Sequence, residues 1–361
     1  MRRIVTPETF THKSADAVVI GGGIIGVATA FWLSRAGLST ILVEMRDGLS
    51  TLTTTASIES FRAQFTEPAM AALATESIDV WENFAQVTGL KGYAIDLHHG
   101  GYLFLTTEEK MVAEVQATVR AYHRVGVTDS EYLTGEEVRK RWPWLNPEVK
   151  AGAFRAKDGW FSAHEVTQGF ARAADKARFF IRTRATGIET DNKGVCAVLT
   201  DRGRIDTRVV VNAAGPFAVT VGRWLGLDLP IYQMRRQRVF VAPHPKIPQQ
   251  APLIMDVDNE SYWRPETGGA LLGWHDPDEQ RSDPMEDPQG DWDFPAFTLE
   301  MCARLSPFWS EVVEDLKQED LSVYAGQYVH APDDQPLIGP VDGSPGFFLN
   351  CAYWPGVMLS A

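Results

Sequence analysis

The chain has 361 residues, 44% of them hydrophobic, with 34 Lys and Arg against 47 Asp and Glu for a formal net charge of −13. That length predicts two domains rather than one core, and the charge argues against nucleic acid or an anionic membrane surface as a partner. Cys196, Cys302 and Cys351 are far apart and lack CxxC spacing, which excludes a zinc site of that pattern and predicts no disulfide frame. No apolar run approaches ~20 residues, and Pro7 and Glu8 interrupt the start, so the expectation is a soluble, cytoplasmic protein without a membrane span or signal peptide.

In chain order, an apolar strand from Ala17 to Ile20 runs into Gly21-x-Gly23-x-x-Gly26, a helix follows over 24–35, and a second strand from Thr40 delivers Glu44. This βαβ unit predicts a dinucleotide site. Gly21 permits the tight turn, Gly23 lets the backbone approach the pyrophosphate, and Gly26 lets helix pack on strand. Ile24 opens a helix whose free N–H groups face the phosphates, and Glu44 accepts from the adenosine ribose.

Thr51 to Ser57 is small and hydroxyl-rich and reads as a loop passing close to a ligand, with Thr55, Ala56 and Ser57 as contacts. Next come a helix over 68–84 with Ala71, Ala74, Ile78 and Trp81 on one face, a strand around 100–105, and a charged helix over 108–124. A helix over 164–177 and strands over 179–183, 195–200 and 209–215 follow, the last ending in Ala213-Ala214-Gly215. Residues 239–272 alternate as an antiparallel sheet. The acidic, Pro- and Gly-containing stretch 276–293 reads as a solvated loop, with a substrate-gating lid as the alternative. Residues 336–340 and 346–350 read as a turn and a strand, and the sequence given stops at 356–361 as a helix pattern begins.

Four separated pieces together resemble the FAD-dependent, D-amino-acid-oxidase-like amine oxidoreductases, which include sarcosine oxidases, dimethylglycine dehydrogenases and glycine oxidase. They are the fingerprint with Glu44; Val211-Asn212-Ala213-Ala214-Gly215-Pro216; Tyr262-Trp263-Arg264-Pro265 with the strand to Gly273; and Asp333-Asp334-Gln335-Pro336-Leu337-Ile338-Gly339-Pro340. Phe61-Arg62-Ala63-Gln64-Phe65 resembles the sarcosine-oxidase β-subunit and proline or dimethylglycine dehydrogenase branch.

The resemblance implies an α/β fold: a Rossmann-type FAD-binding domain (residues 1–85, 145–225 and 321–361) and a mixed, largely antiparallel α+β substrate domain (86–144 and 226–320). It adds Ala214, Gly215 and Gly339 to the FAD contacts. It makes Arg62 the arginine beside the flavin ring, and Tyr262 with Arg264 a pair on the substrate-facing strand suited to a carboxylate. His275 matches a histidine of sarcosine oxidases, the alternative being a structural histidine. His164 lies near the covalent-flavin region of one branch, but helix capping is the reading preferred. Where monomeric sarcosine oxidases carry a lysine that aids reaction with oxygen, this chain has Leu271, which favours a dehydrogenase.

The activity implied is oxidation of the C–N bond of a secondary or tertiary amino acid, using an amine or amino-acid substrate and an electron acceptor, either oxygen or a protein or quinone carrier. Two alternatives stay open: a 2-hydroxy-acid or polyol-phosphate dehydrogenase on the same scaffold, and a flavin-binding electron-transfer subunit of a hetero-oligomer without its own substrate.

Overall fold

The computed structural model describes residues 3–354; the helix start expected at 356–361 lies outside them. Two large sheets organise the chain. The first has seven strands in the order Ile4–Val5, Ala177–Phe180, Thr40–Val43, Ala17–Ile20, Val210–Asn212, Phe347–Cys351 and Leu337–Pro340. All neighbours are parallel except the last pair. Strands 17–20, 40–43 and 210–212 are wholly buried, as apolar runs covered on both faces must be. The register sets Ile20 beside both Val43 and Asn212. Three strands therefore end together, and their carboxyl ends form the crevice in which such sheets bind ligands.

The second sheet has nine strands. Tyr232–Val241, Gly269–Trp274, Ser261–Glu266 and Leu253–Asp256 run antiparallel in sequence, and Tyr102–Thr106 joins the last of these in parallel. Side chains alternate between its faces. Trp263 points to the outer side, where helices Phe294–Ala303 and Phe308–Asp315 pack around it. Tyr262 faces the opposite way, toward Tyr102 and Trp160.

Two segments sit differently from the division expected. Leu321–His330 pairs along its whole length with Tyr232–Val241, and Ala151–Arg155 pairs with Tyr102–Thr106, so both belong to the second sheet although 321–361 and 145–225 were assigned to the FAD-binding part. The antiparallel pairing of a ten-residue strand is a non-local property that its own periodicity does not carry. Thr53–Ala56 is a short helix rather than loop. The acidic stretch is mostly irregular, as expected, and is tied down where Arg235 bonds Glu279 at 3.3 Å and Arg184 bonds Glu286 at 2.8 Å.

Candidate active site

A cleft of about 510 Å³ runs from the ends of the first sheet to the inner face of the second. At one end lie Gly21, Gly22, Gly23 and Ile24, followed by Glu44, Thr53, Thr54 and Ser57, with Ala214 and Gly215 opposite. The helix Ile24–Arg35 begins there with no side-chain cap on Gly23, leaving its dipole pointed into the cleft. Gly21 has φ +114°, a conformation side chains rarely adopt, and a Cβ on Gly26 would run into the Gly21 carbonyl oxygen. Gly26 thus sets the helix against the turn without itself lining the cleft.

Glu44 is held by two backbone donors: Gly22 N at 2.6 Å from Oε2 and Arg46 N at 2.7 Å from Oε1. Burial pushes its carboxyl up from the ordinary range, and the amides of Arg46 and Gly22 pull it back. The sequence pattern did not single out Gly22, yet a Cβ there would stand 2.8 Å from the Glu44 side chain. Thr54 was likewise missed; its hydroxyl accepts from Ile24 N at 3.2 Å, next to the pyrophosphate position. Thr55 and Ala56 turn the other way, Thr55 toward Leu52 O at 3.1 Å and Ala56 against Gly326, and border a smaller cavity behind the cleft. Ser57 is buried and donates to Thr54 O at 2.8 Å. Gly339 lies on the edge strand outside the cleft lining. The glycine cradle, the open helix end and the fixed acid fit FAD.

At the far end the cleft is walled by Arg62, Tyr102, Phe104, Met255, Tyr262, His275, Tyr328 and Trp354. Arg62 lies 3.9 Å from the Phe65 ring centroid and 6.0 Å from that of Tyr102, donates to Gln64 O, and among the described residues forms no ion pair. Its loop is fixed from below. Asp158, fully buried, accepts from Ala63 N at 3.0 Å, Gln64 Nε2 at 3.1 Å and Arg155 at 2.5 Å. Burial pushes the Tyr102 phenol up to about 12 and those of Tyr262 and Tyr328 upward too, so all three stay protonated donors. His275 contacts Glu260 at 3.1 Å, and burial lowers its affinity for a second proton.

Arg264 is not in this wall. It shares a strand face with Tyr262, as its spacing requires, but ends beneath the Ile58 loop, 1% exposed. There Nε donates to Ile58 O at 2.8 Å, Nη1 pairs with Glu266, and the guanidinium stacks 5.2 Å from Trp160. The carboxylate clamp expected of it is therefore corrected to a structural tie, because it lies outside the cleft lining and its Nε and Nη1 donors are taken by Ile58, Pro265 and Glu266. Leu271 is buried in the apolar cluster behind Tyr262. His164 is exposed and is not the helix cap; Ser162 is, accepting from Glu165 N at 3.2 Å. Among the described residues no cluster of side chains is arranged to hold a metal, and no helix is long and apolar enough to cross a membrane.

A parallel sheet with its glycine cradle, facing a largely antiparallel sheet across one cleft, defines a flavin-dependent oxidoreductase architecture. Residues 16–361 match the family described as FAD dependent oxidoreductase, and the chain belongs to it. It is similar to rat (Rattus norvegicus) mitochondrial dimethylglycine dehydrogenase, 25% identical over 95% of this chain and 41% of the relative, and to human mitochondrial sarcosine dehydrogenase, 28% identical over 98% and 39%. The chain therefore spans about two fifths of the length of these relatives. Among solved structures, L-proline dehydrogenase from P. horikoshii superposes with a TM-score of 0.83 at 24% identity, covering 97% of this chain and 91% of that one. Glycine oxidase from Geobacillus kaustophilus gives 0.83 at 22%, covering 96% and 91%. At these identities the likeness establishes the fold.

Proposed function

We propose that the protein oxidises the C–N bond of a secondary or tertiary amino acid of the sarcosine, dimethylglycine or proline type. The observation that carries this reading is Arg62, a cation without a carboxylate partner among the described residues, facing the end of the cleft where the flavin ring belongs. When bound, FAD supplies the acceptor for a hydride equivalent from the carbon next to the amine.

The chain's own residues then have three tasks. Arg62 takes the substrate carboxylate through paired N–H donors, and Phe65 and Phe104 beside it exclude water and strengthen that contact. Tyr102, Tyr262 and Tyr328 offer phenol donors that orient the bound carboxylate and amine. His275, neutral near pH 7 and held by Glu260, accepts the proton that an ammonium substrate must lose before its C–H can leave with an electron pair. Leu271, buried behind Tyr262, supplies no cation to this wall, which supports delivery of electrons to an acceptor other than oxygen.

Anaerobic mixing of the holoprotein with sarcosine, dimethylglycine and proline, beside lactate and glycerol 3-phosphate, tests the reading. Bleaching of the flavin by an amine supports it; bleaching by the hydroxy compounds alone, or by none, removes it.

A further inference from the structure

A second arginine, Arg236, lies behind the wall at this end of the cleft and, like Arg62, forms no ion pair among the described residues. Arg236 lies on the strand Tyr232–Val241, directly across from Gly326. A Cβ on Gly326 would touch the Ala56 side chain at 2.9 Å, so this face of the strand pair looks toward the helix Thr53–Ala56, and Tyr328, opposite Met234 on the same face, lines the cleft. Arg238, two residues on, confirms the direction by donating to Ser57 O at 2.5 Å.

Among the described residues, the buried Nε and Nη1 atoms of Arg236 have no hydrogen-bond partner, and Nη2 reaches the Met234 sulfur at 4.0 Å. Its guanidinium is 5.9 Å from the Trp354 ring, a wall residue of the cleft. Glu260, the nearby carboxylate, is already committed to His275. Desolvated guanidinium donors without acceptors are costly, and native proteins keep such an arrangement where a ligand completes it. The charge is felt at the wall: Arg236 favours the ionised forms of Tyr262 and Tyr328 and opposes protonation of His275.

Tyr262 interacts both with Arg236 and with Tyr102, while Tyr102 adjoins Arg62. The two arginines, neither with an ion pair among the described residues, thus flank one row of phenols. We propose that Arg236 is a specificity-determining residue that binds a second anionic group, so that the preferred substrate is an amino acid with two carboxylates, one on Arg62 and one on Arg236. This rests on the reading of the cleft as an amino-acid site.

The test needs no turnover. Succinate, glutarate and adipate are titrated into the oxidised holoprotein, each against the monoacid of equal chain length (butyrate, pentanoate, hexanoate), and binding is read from the shift of the flavin absorbance. At least one diacid is expected to bind roughly tenfold or more tightly than its monoacid, as an added charge-assisted pair implies. Arg236→Gln should abolish that preference and leave monoacid binding in place, Arg236→Lys should keep part of it, and Arg62→Gln should weaken both acids. Because Arg236→Gln removes an uncompensated cation, its melting temperature should not fall. Equal binding of diacids and monoacids to the parent, or equal weakening of both by Arg236→Gln, overturns the proposal. A diacid preference in a protein whose flavin no amine reduces would sink the amine-oxidation reading and leave the Arg236 anion site standing; amine turnover without a diacid preference does the reverse.

Discussion

The carboxylate of Glu44 accepts a hydrogen bond from the amide of Gly22 at 2.6 Å, closing the gap between the ends of strands Ala17–Ile20 and Thr40–Val43 at the place proposed for the ribose of FAD. The contact works only because residue 22 has no side chain. Gly22→Ala would place a methyl 2.8 Å from Glu44 Cβ, Cγ and Oε2 and push the acid off its position, while the clash with a side chain leaves the fold intact. Purified Gly22→Ala protein is expected to carry substoichiometric FAD, with affinity about ten- to a hundredfold weaker, as loss of a charge-assisted contact implies. Flavin absorbance against protein concentration reads this directly, and full FAD content would contradict it.

Arg62→Ala is expected to lower kcat/KM for an amino-acid substrate by roughly ten- to a few hundredfold while FAD content stays unchanged. Arg62→Lys should restore only part, since a point charge does not reproduce the two-pronged guanidinium. Unchanged kinetics in Arg62→Ala would remove the carboxylate clamp.

Arg264→Ala should act on stability instead. It strips the Ile58 carbonyl of its donor and removes the cation from the partly exposed Glu266, and losing hydrogen bonds made by a charged group typically costs about 1.5–3 kcal/mol. Thermal unfolding should show a clear drop in Tm. A fully stable Arg264→Ala protein with a raised KM would return Arg264 to the substrate site.

Burial lowers the pKa of both His275 and His330 from the ordinary 6.5. Below that value the unfolded chain takes up protons that the folded protein refuses, so stability is fully present above about pH 6.5 and declines as the pH falls. Tm measured from pH 7.5 to pH 5 should fall, and the slope should be shallower in a His275→Gln, His330→Gln double variant. An identical slope in that variant would show that the acid loss arises elsewhere.

The βαβ unit was legible because every part of it is local: strand, glycines, helix and acid lie within 17–44, and each has its own period or side-chain requirement. The far end of the cleft was legible only in fragments. Tyr262 and Arg264 do share a face, but spacing along one strand says nothing about what lies above each residue, and the Ile58 loop covers Arg264 alone. Tyr102, Tyr328 and Arg236 come from separate strands joined by pairing over long sequence separations, so no single stretch announces them. The misassignment of Leu321–His330 has the same origin.

The most direct test of the central claim is an anaerobic titration of the yellow holoprotein with N-methyl amino acids, carrying one carboxylate or two, followed at the flavin absorbance band. The account predicts stoichiometric bleaching by at least one of them, abolished or slowed at least tenfold in Arg62→Ala with FAD retained. A flavin that stays oxidised with every amine, or that Arg62→Ala reduces as fast as the parent, would contradict it.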